Sequence, residues 1–348
     1  MNKNLLLLAL IWMGLSLKAQ TTQIPDTNFE TFLENNGMGN GIANDHLVST
    51  AQINNVTSLN IANLNIADLT GIQDFTALES LYCHHNNLSQ LDLSLNTQLK
   101  ELYCNNNQLV SLTLYNNNII EYLECQNNQL TQLDMKLNNS LRSLDCSNNQ
   151  LNDLQLGTSS QFYYYLYCQN NQLNVLNLGS LPITELHCEN NQLQSLDISQ
   201  NTNISKLLCQ NNRLQHLNIA NGNNQYFTQF NATTNPDLTC VQVDDAVYMQ
   251  NNWATAIDAS AAYNTDCSNT VTDFEADELS FLISDNGVQI KSSKDIDCKL
   301  FDLSGKQIWR QKLKAGNRQI CFDNLSSGLY IFSISQTNRY FLQKIIIP

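Results

Sequence analysis

Eleven cysteines, five histidines and a scatter of acids are the residues of this chain that could do chemistry. Thiols act as nucleophiles, metal ligands or disulfide partners when their spacing brings them together. No Cys-x-x-Cys pair is present, and neither are Gly-x-Ser-x-Gly, His-Glu-x-x-His or a phosphate-binding loop. His84-His85 is the one adjacent histidine pair, and it would need a third ligand to hold a metal. Acids such as Glu101, Glu124, Asp145, Glu185 and Glu189 would serve glycoside hydrolysis only if two of them flanked a substrate. The spacing of the cysteines points elsewhere. Cys83, Cys104, Cys125, Cys146, Cys168, Cys188 and Cys209 lie at intervals of 21, 21, 21, 22, 20 and 21 residues. That is a structural repeat rather than a disulfide framework, and it predicts no metal and no cofactor.

The repeat dictates the elements that carry these residues. Leu78-x-x-Leu81-x-Cys83-x-x-Asn86-x-Leu88 is followed by Leu99-x-x-Leu102-x-Cys104-x-x-Asn107-x-Leu109. The series continues through Cys125/Asn128, Cys146/Asn149, Cys168/Asn171, Cys188/Asn191 and Cys209/Asn212. An earlier unit, Val56-x-x-Leu59-x-Ile61, has Ile in the Cys slot and no ladder Asn, which makes eight turns from about residue 53 to 225. Leu81 and Cys83 alternate with polar neighbours, the pattern of a half-buried strand. A second half of similar rhythm, such as Leu88-x-x-Leu91-Asp92-Leu93, predicts a short strand on the other side of each coil. One such turn cannot bury its own leucines, so the turns must stack and the stack must be capped. The period and the L-x-x-L-x-L/C-x-x-N-x-L core resemble the leucine-rich-repeat family, in its short bacterial form with little or no helix. The 52 asparagines of the chain suit repeated turns and an inward amide ladder. The seven repeat cysteines take an inward Leu slot and read as small buried hydrophobes with inert thiols.

The ends differ from the middle. Leu5 to Leu17 is an apolar run between Lys3 and a small residue, Ala19, as in an export signal over 1–19; a membrane anchor would need a longer run. Residues 20–50 are expected to form an N-terminal cap, with a short amphipathic helix around Phe29, Phe32 and Leu33, and with Gly37 to Gly41 as a surface turn. The solenoid is expected over 51–227 and a C-terminal cap over 228–268, with a short helix through Trp253. Cys240 and Cys267 are the candidate disulfide that closes this end.

From 272 the composition shifts. Residues 51–230 hold 13 acids and 5 bases, whereas 272–348 hold 9 acids and 10 bases. Strand-like runs such as Cys298–Leu303, Gln307–Leu313 and Leu329–Ser335, broken by Gly and Ser turns, predict a small β-sandwich, across which Cys298 and Cys321 are candidates to pair. Phe301-Asp302-Leu303-Ser304-Gly305-Lys306, Leu325-Ser326-Ser327-Gly328-Leu329-Tyr330-Ile331 and the terminal Lys344-Ile345-Ile346-Ile347 resemble the C-terminal sorting domain of type IX (Por) secretion. The usual Tyr-Pro-Asn-Pro opening is missing, and the last residue is Pro348 rather than a basic one. The resemblance implies engagement with the type IX secretion machinery and a secreted or outer-surface location.

A mainly β protein follows, with a capped repeat solenoid and a small sandwich behind it. A net charge of −14 disfavours nucleic acid and anionic lipid as partners. The outward strand positions hold Tyr82, His84, Tyr103, Tyr122, Glu124, Asp145, Tyr165, Tyr167, His187 and Glu189. Tyrosine offers large, rigid contact area with a polar handle, so this face is expected to bind an extracellular protein or glycan without catalysis. Two other readings stand beside it: an architectural surface or matrix protein with no discrete ligand, and a hydrolase working through acids such as Glu124 or Asp145.

Overall fold

The computed structural model describes residues 20–158, 163–267, 279–284, 287–302, 305–322, 325–326, 328–336 and 339–347. The export-signal region 1–19 lies outside them. The chain divides into two compact units, Met1–Cys267 and Ser268–Pro348.

The first unit is a leucine-rich-repeat solenoid. One strand per turn joins a nine-stranded parallel sheet: Ser58–Asn60, Ser80–Tyr82, Glu101–Tyr103, Tyr122–Glu124, Ser143–Asp145, Tyr163–Tyr167, Ile183–His187, Lys206–Leu208 and Gln229–Asn231. The central leucines align turn upon turn, Leu81 with Leu102 and Leu123 with Leu144, so each turn buries its apolar residues against the next. Leu81, Leu102, Leu144, Leu166 and the seven repeat cysteines are completely buried. The thiols are unpaired; parallel side chains on in-register strands keep their Cβ atoms near the strand spacing of about 4.8 Å, wider than the roughly 3.8 Å usual for a disulfide. Burial pushes the Cys83 thiol up to about 12, which keeps it protonated and inert.

The sharp turn after each strand explains the Asn pair in six of the seven cysteine repeats. The first residue of the pair sits in the left-handed region, as at Asn106 (φ 55°), Asn127 (φ 58°) and Asn148 (φ 53°), which Asn tolerates better than other non-glycine residues. His85 fills that same slot at φ 54°. The second is the ladder residue. The Asn107 amide donates to the carbonyls of Cys83 and Cys104 (both 3.0 Å) and its oxygen accepts from the Leu88 N–H (3.0 Å). Each ladder Asn therefore ties its own turn to the preceding one and satisfies backbone groups that the bend would strand in the core. The sheet and its ladder continue past residue 227: Phe230 takes the Leu slot, Ala232 the Cys slot, and Asn235 donates to the carbonyls of Cys209 and Ala232.

The other side of the coil also carries short strands, in separate sheets. Gln90–Asp92 pairs with Ser111–Thr113, and Gln132–Met135 with Asp153–Leu156; Ser195–Asp197, His216–Asn218, Cys240–Gln242 and Ala262–Asn264 form a third set. A second amide ladder runs here. Asn117 donates to the carbonyls of Leu93 and Asn96 (3.1 and 2.8 Å), and Asn138 to those of Leu114 and Asn117.

Both ends are capped. In helix Thr27–Asn35, Asp26 accepts from the N–H groups of Asn28 and Phe29, while its other oxygen accepts from Ala67 and Asp68 of the first turn. One carboxylate thus caps the helix and docks it. Phe29 and Leu33 are buried, and the Phe29 ring stacks near Phe75. The Gly37–Gly41 stretch is a turn whose Asn40 and Gly41 N–H groups donate to Glu34. At the other end, helix Ala246–Trp253 and the Cys240–Cys267 disulfide close the solenoid, and Phe230 packs against Trp253 and Tyr263.

The second unit holds two antiparallel sheets. Leu279–Ser284, Gly287–Ser292 and Gly316–Ile320 form one; Gln307–Leu313, Ile296–Phe301, Gly328–Gln336 and Arg339–Ile347 form the other. Val288, Ile290, Leu300, Phe322 and Phe332 are in its core. The expected Cys298–Cys321 pairing is corrected here, because both thiols are free. Period-two alternation explains why. Ile296, Cys298 and Leu300 face inward, as do Ile320 and Phe322, which turns Cys321 out to solvent.

Candidate functional site

Parallel register converts the repeat into rows of side chains on the outer face of the nine-stranded sheet. One row runs Tyr82, Tyr103, Glu124, Asp145, Tyr167, His187, each directly beside the next. A second row runs Glu101, Tyr122, Ser143, Tyr165, Glu185, Lys206. His84 and Glu189 belong to a third row, one position beyond the cysteines. All ten candidate residues lie on this face, nine of them half-buried and Tyr165 more exposed.

The rings are held rather than loose. Tyr82 and Tyr103 stack at 4.9 Å between centroids, and the Tyr82 hydroxyl donates to Glu101 (2.8 Å), which also accepts from Ser80. Three turns further along, Tyr167 packs on His187 (4.5 Å) and beside Tyr165 (5.8 Å), and its hydroxyl donates to Glu185 (3.0 Å). Glu185 in turn faces Lys206 at 3.6 Å. Glu101 and Glu185 are thus the residues that fix the two aromatic groups. The sequence shows both as outward acids, but their role depends on a diagonal reach to the neighbouring strand.

Burial and the adjacent acids keep Tyr82, Tyr103 and Tyr167 protonated, so they remain donors. Tyr82 is raised by its hydrogen bond to Glu101, and Tyr103 by burial and then by Glu124; Tyr167 is raised strongly by burial and then by Glu185. Burial lowers His84, and it lowers His187 with help from Lys206. Between the aromatic groups sit Glu124 and Asp145. Asp145 accepts from the N–H and hydroxyl of Ser147 (3.0 and 2.6 Å), and burial raises its carboxyl above the usual range. Burial also raises Glu189. Among the described residues, no group of three or more His, Cys, Asp or Glu is placed to hold a metal ion. What the arrangement offers is fixed aromatic area, hydroxyl donors and acceptor carboxylates.

Residues 284–348 match the family model of the secretion system C-terminal sorting domain. The C-terminal unit is a secretion sorting domain. It directs the chain by type IX secretion to the cell surface or the extracellular space. No helix of the described residues is long and apolar enough to cross a membrane. A stretch of 50 residues, 14% of the chain, is 48% identical to Internalin J of Listeria monocytogenes serotype 4b (strain F2365) and spans 6% of that protein. Among solved structures, the functional domain of InlJ from Listeria monocytogenes, which includes a cysteine ladder, is similar at 20% identity over 95% of this chain and 99% of that one, with a TM-score of 0.37. YopM, a leucine-rich effector protein from Yersinia pestis, is 28% identical over 54% of this chain and 56% of its own, with a TM-score of 0.43.

Proposed function

We propose that the chain is a non-catalytic recognition protein of the cell surface or extracellular space, which docks a protein or glycan partner on the outer face of its nine-stranded sheet. The observation that carries this reading is the pair of pre-set aromatic groups, Tyr82–Tyr103 and Tyr165–Tyr167–His187, each fixed by a hydrogen-bonded carboxylate. Rings already held in place lose little freedom on binding, so their contact area converts efficiently into affinity. The rest of the face supplies donors and acceptors that tolerate a wet interface.

The test is a glycan array together with a surface pull-down, run on the full chain and on its Tyr103→Ala/Tyr167→Ala variant. Binding present in the first and lost in the second, with unchanged circular dichroism, supports the reading. Undiminished binding by the variant counts against the face. Empty results from both assays with the unaltered chain favour an architectural protein without a discrete ligand.

A further inference from the structure

The order of residues in the central row asks for a particular partner. Reading along it gives aromatic, aromatic, acid, acid, aromatic, imidazole: Tyr82, Tyr103, Glu124, Asp145, Tyr167, His187. Glu124 and Asp145 stand directly side by side on adjacent parallel strands, which lie about 4.8 Å apart. Like charges side by side in register are unfavourable without a counter-charge. Other acids near the face have their counter-charges: Glu79 pairs with Lys100 at 2.7 Å, Glu121 with Arg142 at 3.0 Å and Glu185 with Lys206 at 3.6 Å. Among the described residues, no Lys, Arg or His nitrogen comes within ion-pair distance of Glu124 or Asp145. The contacts they do have are local, Gln126 to Glu124 (3.4 Å) and Ser147 to Asp145.

We infer that the Glu124–Asp145 pair, bracketed by Tyr103 and Tyr167, is a docking slot for a cationic side chain, arginine above all, presented by a protein partner. This rests on the recognition reading above and names the chemistry of its partner. A guanidinium lies flat on an aromatic face and donates to two carboxylates at once. It neutralises both acids while its methylene stem covers the flanking rings. A neutral sugar would use the rings but leave two adjacent charges uncompensated. The surrounding field favours the same partner, since residues 51–230 hold 13 acids against 5 bases.

The test uses the full chain and two synthetic probes, the octapeptide (Arg-Ser)4 and its neutral counterpart (Gln-Ser)4, by calorimetry at low and high salt, with a neutral glycan array alongside. The arginine peptide is expected to bind, the glutamine peptide to bind at least tenfold more weakly, and added salt to weaken the first alone. Glu124→Gln/Asp145→Asn is expected to reduce arginine-peptide affinity at least tenfold without lowering the melting temperature. Glu79→Gln/Glu121→Gln, which removes acids already paired, leaves binding unchanged. Equal affinity of the Glu124→Gln/Asp145→Asn variant overturns the slot, as does an arginine peptide that fails to bind the unaltered chain at millimolar concentration. Neutral-glycan binding that is lost in Tyr103→Ala/Tyr167→Ala but indifferent to the acid substitutions also overturns it, and leaves the recognition face standing.

Discussion

The two sides of the solenoid use the same device and reach different results. On one side, an unbroken Asn ladder and a cysteine in every full repeat accompany nine strands in one continuous sheet. On the other, the strands fall into separate sets, and residues 174–178 form no strand at all. The break has a local cause. The interval from Cys146 to Cys168 is 22 residues and that from Cys168 to Cys188 is 20, so the repeat is out of step around the missing strand. In the turn without a second-side strand the ladder position holds Leu181, whose carbonyl accepts from Asn201 but which has no side-chain amide to donate. Without the amide, and one residue out of step, the second side opens into a cleft of about 370 Å³ lined by residues such as Leu154, Leu156, Asn174 and Leu178. The comparison teaches that ladder amides set sheet continuity, and that insertions are absorbed on the side where the ladder is weaker.

The sharpest way to break this comparison is to remove one ladder residue from each side. Asn149 donates to the carbonyls of Cys125 and Cys146 and accepts from the Leu130 N–H, whereas Asn117 has two carbonyl contacts. Stranding buried backbone groups costs about 1–3 kcal/mol each, so Asn149→Ala should destabilise by about 4 kcal/mol and Asn117→Ala by about 2 kcal/mol in urea unfolding. Equal losses would mean that the two ladders are equivalent.

A smaller effect is expected at the end of the stack. Cys240→Ala/Cys267→Ala opens a disulfide with a sequence separation of 27. About 3 kcal/mol of stability should go with it, read as a lower melting temperature of the solenoid while the sorting domain melts unchanged. A drop in both transitions would show that the two units unfold together.

Smaller again is the difference between the inward slots. The first side uses cysteine where the second uses Leu93, Leu114, Met135 or Ile198. Cys125→Leu should overpack its site and cost about 1–3 kcal/mol, whereas Met135→Leu should cost less than about 1.5 kcal/mol. The thiols report the same packing without mutation. In the native chain a maleimide should label Cys321 rapidly and the seven buried ladder thiols only after unfolding.

The least effect is the pH response of the face. Asp145 and Glu189 have folded values raised by burial, so their contribution to stability is present below the unfolded carboxylate range and is lost as pH rises through the raised folded values. His187 has the opposite sign. Its value is lowered, so its contribution is present above the ordinary imidazole range and is lost as pH falls through the folded value. Unfolding of Asp145→Asn followed across mildly acidic pH should show a flatter dependence than the unaltered chain; an identical slope would remove Asp145 from the account.

Much of this protein is legible in its sequence because a repeat states its own geometry. The seven-fold recurrence of Leu81-x-Cys83-x-x-Asn86 and its copies determines the strand, the inward slots, the left-handed turn and the stacking, since a 21-residue unit can satisfy its core and its backbone in few other ways. The outward rows follow from period-two alternation, and the Ser and Gly turns of 272–348 carry the resemblance to a sorting domain. Three things were decided only by the fold. Asn96, Asn117 and Asn138 look like loop residues until the second side of the coil closes over them. Cys298 and Cys321 look like partners until strand alternation turns one inward and the other out. Tyr82 with Glu101, and Tyr167 with Glu185, meet only because parallel register places one turn beside the next. Sequence periodicity determines what each turn must do alone. Contacts between turns depend on register, which belongs to the stack and not to any single repeat.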